Sequence, residues 1–267
     1  LFYQRLFRRG DLGVAESYIA GEWNCSDLAG LFKALLGQTH SLKKLLRKYS
    51  WLGNLRSRFL HSRRHNSVAN SRSNISKHYD LGNDFFAKWL DKTLTYSSAI
   101  YEKNDDNLET AQKNKYQKLI DLLNIKNGDK VLEIGCGWGG FAEYLGKKYD
   151  VKLDCITISK KQYEYAKDRI HKCGLNEKVN IEIKDYRDLK DKYNSIASIE
   201  MIEAVGQNYL QSYFKIIKDN LANSGTAAIQ AITIDDNLFD RYKNKQDFIQ
   251  KYIFPGGFLP VSYTHLT

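Results

Sequence analysis

Residues 131–140 read VLEIGCGWGG, an apolar run that ends in four glycines within six positions: Gly135, Gly137, Gly139 and Gly140. The next residues, FAEYLGKK, continue with helical periodicity. The order predicts a buried strand at Lys130–Ile134, a tight turn, and a helix at Gly140–Lys148. A strand, a glycine turn and a helix cradle a phosphate or a cofactor in several fold families, and the same pattern also closes turns that hold nothing. The motif by itself leaves dinucleotide, phosphate and empty readings open.

Two neighbours of the turn narrow the choice. A dinucleotide site places an acid about 20 residues on, at the end of the second strand, for the ribose hydroxyls. Here that count reaches Cys155, and the strand ends CITIS (155–159) without an acid. An acid does stand two residues before the first glycine, Glu133, in an ExGxGxG arrangement that includes Cys136 and Gly139. A carboxylate there repels pyrophosphate and attracts an ammonium or sulfonium. S-adenosylmethionine suits such a site and NAD does not.

Farther out, β-type runs at Lys152–Ile158, Val179–Lys184, Ser195–Ile199 and Thr226–Ile232 alternate with helical patterns at Lys160–Cys173 and Tyr209–Leu221. Alternation of this kind predicts an α/β fold with a doubly wound, mostly parallel sheet. Upstream, residues 11–36 carry helical periodicity, with Asp27 placed to cap LAGLFKALL and Gly37 to stop it. A chain of 267 residues with 42% hydrophobic content can bury a real core. The expected organisation is a helical, basic N-terminal region and linker over 1–70 and a main domain over 71–260. The last seven residues, VSYTHLT (261–267), read as a processing scar. With no methionine at Leu1, the sequence reads as an internal piece truncated at both ends.

The net charge of +10 is concentrated in one stretch: between Asp27 and Asp80 there are eleven Lys and Arg and no acid, which leaves the rest at −1. Within it, Leu42, Leu45, Leu46, Tyr49, Leu52, Leu55 and Phe59 recur at helical spacing among the basic residues, with Trp51 beside them. A solvated face is the ordinary meaning of such a run. An apolar stripe flanked by Lys and Arg is also what a helix lying on anionic lipid needs, and residues 42–64 are the expected membrane-facing segment. No zinc-finger, RNP or helix-turn-helix signature supports nucleic-acid binding. Residues 61–77 are rich in Ser, Asn and Arg and read as a linker. No apolar run approaches the roughly 20 residues of a membrane span. Cys25, Cys136, Cys155 and Cys173 show neither CxxC pairing nor metal-ligand spacing with the six histidines, as reduced thiols of a cytoplasmic protein would.

Seven ordered motifs give the sequence a family. HYDLGNDFF (78–86), TYSSAIYE (95–102), VLEIGCGWGGFAEYL, ITISKKQ (156–162), KDYRDL (184–189), SIEMIEAVGQNYL (198–210) and YIFPGGFLP (252–260) resemble the cyclopropane-fatty-acyl-phospholipid synthases and the mycolic acid cyclopropane synthases. GDLGVAESYIAGEW, near the start, is similar to that family's N-terminal helical region. The resemblance implies a Rossmann-like class I methyltransferase that uses S-adenosylmethionine on the double bond of an unsaturated phospholipid acyl chain, working at the inner face of the membrane. It also implies cofactor contacts at Tyr96, Ser97, Glu133, Gly135 and Gly137. Thr157 and Gln162 would take the ribose in place of the usual acid, and Asp185 and Tyr186 would flank the adenine.

An alkene carries no proton to remove before attack, so the first step needs only an aligned methyl group. The carbocation it leaves would be stabilised by ring faces, for which Tyr79, Phe85 and the aromatics of YIFPGGF are candidates. A base then takes one proton, and its choice decides between a cyclopropane and a methyl-branched or methylene chain. In the family resembled, that base is a bound bicarbonate held by a glutamate, a histidine, a tyrosine and the backbone near a cysteine. Glu203 matches the glutamate. Ser98 stands at the cysteine position, Gln230 stands at the histidine position, and the tyrosine would fall after residue 267. Gln230 can donate and accept hydrogen bonds but cannot become cationic. Alternatives are a methyltransferase that closes no ring, a small-molecule N-methyltransferase, and a cofactor- or lipid-binding module without chemistry. Whether the protein is a homo-oligomer stays open.

Overall fold

The computed structural model describes residues 1–37, 82–243 and 246–264. Tyr79 and the basic segment 42–64 lie outside the described residues. The chain forms two compact units, one of Leu1–His65 with Asn237–Pro255 and one of Asn66–Asp236 with Gly256–Thr267.

In the first unit, helices α1 (Phe2–Arg9) and α2 (Asp11–Ile19) meet at Gly10, and α3 (Leu28–Gly37) follows. The periodicity over 11–36 is thus split by a non-helical stretch between α2 and α3. Asp27 caps α3 as expected, its Oδ1 accepting from the Gly30 N–H at 2.8 Å. A side chain at Gly13 would strike the Arg5 carbonyl at 2.1 Å, so α1 and α2 cross there backbone to backbone. The buried Glu16 accepts from Arg9, from Lys251 and from the Tyr252 hydroxyl at 2.8 Å. Burial alone would raise its pKa, but hydrogen bonds from Lys251 and Tyr252 and the charge of Arg9 outweigh it and hold the carboxyl below its ordinary value.

The second unit is built on five parallel strands, β1 (Lys130–Ile134), β2 (Lys152–Thr157), β3 (Val179–Ile183), β4 (Tyr193–Ile199) and β5 (Leu221–Gln230), in the order β3-β2-β1-β4-β5. The strand order reverses between β1 and β4, where doubly wound sheets open their ligand crevice at the carboxyl ends of the strands. Val131, Leu132 and Ile134 of β1 are buried, the continuous apolar run of a strand covered on both faces. Helices α4 (Leu108–Leu123), α5 (Gly140–Lys148) and α6 (Lys160–Lys172) contribute Tyr116, Ile120, Phe141, Leu145, Ala166 and Ile170 to one core with Val131, Cys155 and Ala197. Helix α7 (Leu210–Asn220) buries Tyr213, whose hydroxyl donates to Ser198 Oγ on the opposite face of the sheet at 2.8 Å.

Observed bounds differ from the expected ones by a residue or two, with two exceptions. Helix α4 carries too polar a buried face, including Gln112 and Lys115, to be read as core-facing from sequence. Strand β5 begins at Leu221, five residues before the expected Thr226. It pairs Tyr193 with Leu221 and Ser195 with Thr226, so residues 222–225 bulge opposite Asn194 alone. Among the described residues no helix is long and apolar enough to cross a membrane, and no cluster of His, Cys, Asp and Glu could hold a metal.

Candidate active site

The glycine turn follows β1 directly, and the N–H groups of Gly135 and Cys136 both donate to the Ile156 carbonyl, at 2.9 and 3.0 Å. The four glycines are there for different reasons. A Cβ on Gly135 would come within 2.8 Å of Met201 Cγ, one on Gly139 within 3.1 Å of Ala166 Cβ, and one on Gly140 within 2.5 Å of the Tyr116 hydroxyl. These three allow close packing. At Gly137, with φ +53°, a Cβ would meet nothing within 4 Å. Gly137 therefore borders open space above the turn. Cys136 is buried, and its thiol is pushed up by burial and by the Glu133 charge.

At the end of β2, Thr157 Oγ1 donates to Gln162 Oε1 at 3.0 Å and also accepts from the Ser159 N–H. Gln162 Nε2 keeps no partner among the described residues. After β3, Asp185 is buried and held by Arg187 in a two-pronged pair, Nε to Oδ1 at 2.8 Å and Nη2 to Oδ2 at 2.7 Å. Its carboxylate is thereby fixed by the chain itself. Tyr186 packs edge-on against Tyr213, ring centroids 5.5 Å apart. On the loop before α4, the half-exposed Tyr96 stands 5.5 Å from Phe86 and 5.3 Å from Trp89, centroid to centroid, forming an aromatic wall with Trp138 behind it.

Beneath the turn lies a pair of buried charges. Glu133 shares a sheet face with Cys155, whose thiol donates to its Oε2 at 3.5 Å, and burial raises its carboxyl to about 7. Lys115 of α4 is equally buried. Its ammonium donates to Ser97 Oγ at 2.6 Å and is brought down to about 8 by burial, against the opposing pull of Glu200, Asp91 and Glu133. Glu133 thus lies below the turn, and Lys115 reaches from that region to Ser97. Nothing in the charge pattern of 108–123 singles out Lys115, because buried and exposed lysines look alike there.

The other half of the site follows β4. Glu203 is buried in a short 3-10 turn, Ile202–Ala204. Its carboxylate accepts from the Ile232 N–H, and its Oε2 is buried with no hydrogen-bond partner among the described residues. Burial raises the group to about 7, and the nearby Glu200 charge adds to the shift. Glu200, which sequence reasoning passed over although it lies in the same motif, immediately follows β4 with φ +47°, a left-handed conformation costly for a side chain with a Cβ. Its Oε1 accepts from the Ser98 N–H at 2.8 Å, from the Ser98 hydroxyl, and from Gln230 Nε2 at 2.8 Å. Gln230 also donates to the Ser98 carbonyl at 3.2 Å. The structure therefore brings Ser98 and Gln230 together, with Glu200 between them. Downstream, the Phe258 N–H donates to the Glu203 carbonyl at 2.9 Å.

The model of the mycolic acid cyclopropane synthetase family matches residues 66–265, a span that holds every described residue of this site. The chain belongs to that family. This family member is 38% identical over 261 residues to the cyclopropane-fatty-acyl-phospholipid synthase of Escherichia coli, covering 97% of the chain and 65% of that protein. It is 37% identical over 264 residues to the tuberculostearic acid methyltransferase UfaA1 of Mycobacterium tuberculosis, covering 96% of the chain and 61% of that protein. The chain thus spans less than two thirds of the length of these relatives. Among solved structures, the cyclopropane synthase MmaA2 from Mycobacterium tuberculosis matches at 26% identity and TM-score 0.66, covering 72% of this chain and 71% of that one. The mycolic acid cyclopropane synthase CmaA1, solved in complex with SAH and CTAB, matches at 29% identity and TM-score 0.66 over 71% and 70%. The family member accordingly has the Rossmann-like class I methyltransferase fold expected from its motifs.

Proposed function

We propose that the protein transfers a one-carbon unit from S-adenosylmethionine to the double bond of an unsaturated phospholipid acyl chain and closes a cyclopropane ring. The observation that carries this reading is one juxtaposition. A glycine cradle open at Gly137 and a buried carboxylate with an orphaned oxygen, Glu203, lie at the carboxyl ends of the neighbouring strands β1 and β4.

The residues fit the cofactor. Gly137 leaves room that a Cβ would fill, and the end of β2 offers an amide and a hydroxyl instead of an acid. Gly135 and Gly137 would line the cradle, Thr157 and Gln162 would take the ribose through the unpaired Nε2, and Asp185 and Tyr186 would border the adenine. Tyr96 and Ser97 would meet the amino-acid end. When bound, the cofactor supplies a methyl group as an electrophile. The exposed rings of Trp89 and Tyr96 would stabilise the positive charge left on the acyl chain through their faces, and Glu203 would organise the proton acceptor. The basic segment 42–64 would bring the enzyme to anionic lipid at the inner face of the cytoplasmic membrane.

Incubating the protein with S-adenosylmethionine and dioleoylphosphatidylglycerol vesicles is expected to add one CH2 to the acyl chain, with ring protons visible by NMR. Glu203→Gln is expected to lower the yield by about 100-fold, the usual cost of misplacing a reacting group, while retaining SAH binding. Unchanged yield would remove Glu203 from the chemistry. A product without a ring is the second reading, favoured by the 37% identity to a tuberculostearic acid methyltransferase, and the same NMR spectrum distinguishes the two.

A further inference from the structure

The expectation of a bound bicarbonate meets a specific obstacle in this chain. The groups at the two positions expected to help hold it, the backbone of Ser98 and the side chain of Gln230, both donate to one acceptor, Glu200 Oε1. These are also the positions where the chain departs from the pattern of its family, Ser for Cys and Gln for His. The Ser98 hydroxyl adds a further hydrogen bond to the same oxygen. A carboxylate already occupies these donors, so the arrangement does not fit a bicarbonate there.

From this geometry we infer that Glu200 is the built-in proton acceptor of the reaction, in place of a bound anion. Resting on the function proposed above, it names the base for that same site. Three donors fix Oε1, and Oε2 takes no hydrogen bond among the described residues, so one oxygen is anchored and the other is left to react. The residue is only partly buried and stands at the carboxyl end of β4, beside the β1–β4 switch point where the crevice opens. Its left-handed backbone is strain of the kind kept at functional positions. A second tie holds it: the Glu200 N–H donates to the Gln230 carbonyl at 2.9 Å. Gln230 suits this task because a neutral amide orients a carboxylate without placing a second charge against it.

The proton balance is simple. The alkene π pair forms the new C–C bond, the C–S pair leaves with sulfur, and the acyl chain is left cationic. Glu200 Oε2 then accepts a proton. If it comes from the added methyl, the freed C–H pair closes the ring; if it comes from a neighbouring chain carbon, that pair becomes a C=C bond. Glu200 ends as the neutral acid and returns its proton to water.

The test compares wild type, Glu200→Gln and Glu200→Gly as full chains. It uses dioleoylphosphatidylglycerol vesicles with and without added bicarbonate, SAH calorimetry, and 13C NMR of labelled bicarbonate. Wild type is expected to keep its rate in CO2-free buffer and to bind no bicarbonate. Glu200→Gln should lose about 100-fold or more in rate with an unchanged SAH Kd. Glu200→Gly, whose backbone suits φ +47°, should melt no lower than wild type, bind labelled bicarbonate, and regain rate when bicarbonate is added. A Glu200→Gln variant within a few-fold of wild type, or a wild type that stops without bicarbonate, would overturn the assignment alone. A wild type that binds SAH but methylates no lipid would overturn the functional reading and the assignment with it.

Discussion

Glu203 ties the chemistry to a measurable stability. In the unfolded chain such a carboxyl ionises near 4.5, and in the folded protein near 7. Between those values the unfolded chain releases a proton that the folded protein keeps, so stability falls as pH rises from 4.5 to 7 and levels off above. A shift of that size corresponds to roughly 3 kcal/mol. Glu203→Gln has no such proton to keep. Thermal melts at pH 5 and pH 7.5 should show the variant gaining on wild type at the higher pH, whereas parallel changes in Tm would contradict the burial argument. At this scale the sequence was only partly legible. Glu203 could be found because its motif is distinctive. Glu200 lies three residues earlier in the same motif, and its role appears only when β5 brings Gln230 alongside. Lys115 was invisible for a different reason: a buried ammonium is costly, and only the fold shows the Glu133 and Ser97 groups that make it tolerable.

The glycine turn shows how an element divides its labour among residues of one type. Gly140→Ala would drive a methyl into the Tyr116 hydroxyl, which is itself paired with Thr95 in the core. Overpacking of this kind costs about 2 kcal/mol and should appear as a lower Tm. Gly137→Ala meets no neighbour, and its positive φ costs only about 1 kcal/mol. Its methyl group would enter the open space beside the turn, so SAH affinity should drop at least tenfold while Tm falls by only about 2–4 °C. Calorimetry and melts on the two variants separate a packing glycine from a ligand glycine; matching losses in both would erase the distinction. The strand, turn and helix themselves were readable because glycine spacing and apolar runs are local signals. Helix α4 was not. It is defined by its caps, Asn107 accepting from the Thr110 N–H at 2.9 Å and Asn124 closing in the left-handed region, and its buried stripe includes polar side chains whose partners are distant in sequence.

For the whole molecule, charge distribution carries the main expectation. Eleven basic residues and no acids between Asp27 and Asp80 concentrate the positive charge in one stretch of sequence and leave the remainder at −1. Attraction to anionic lipid is worth about 1 kcal/mol per basic residue near the surface and is screened by salt. Sedimentation with phosphatidylglycerol vesicles should therefore be strong at 50 mM salt and largely lost by 500 mM, with little binding to neutral phosphatidylcholine. Equal binding to both lipids would point away from residues 42–64. The parallel, doubly wound character of the sheet was the most legible feature at this scale, since it follows from alternating strand and helix patterns; the order of its strands was not read from the sequence. The assembly of Asn237–Pro255 with the first helices was not, because it rests on Glu16 collecting Lys251 and Tyr252 from more than two hundred residues away.

The position of β5 gives the site a thermal weak point. Its ladder with β4 is broken by the bulge at 222–225. Its last residue, Gln230, is bound to Glu200 through both main chain and side chain. Local opening that spreads from this break would therefore release the carboxylate from its anchor before the core melts. Catalysis would then switch off through a local loosening of one strand, at temperatures where the rest of the fold is still intact.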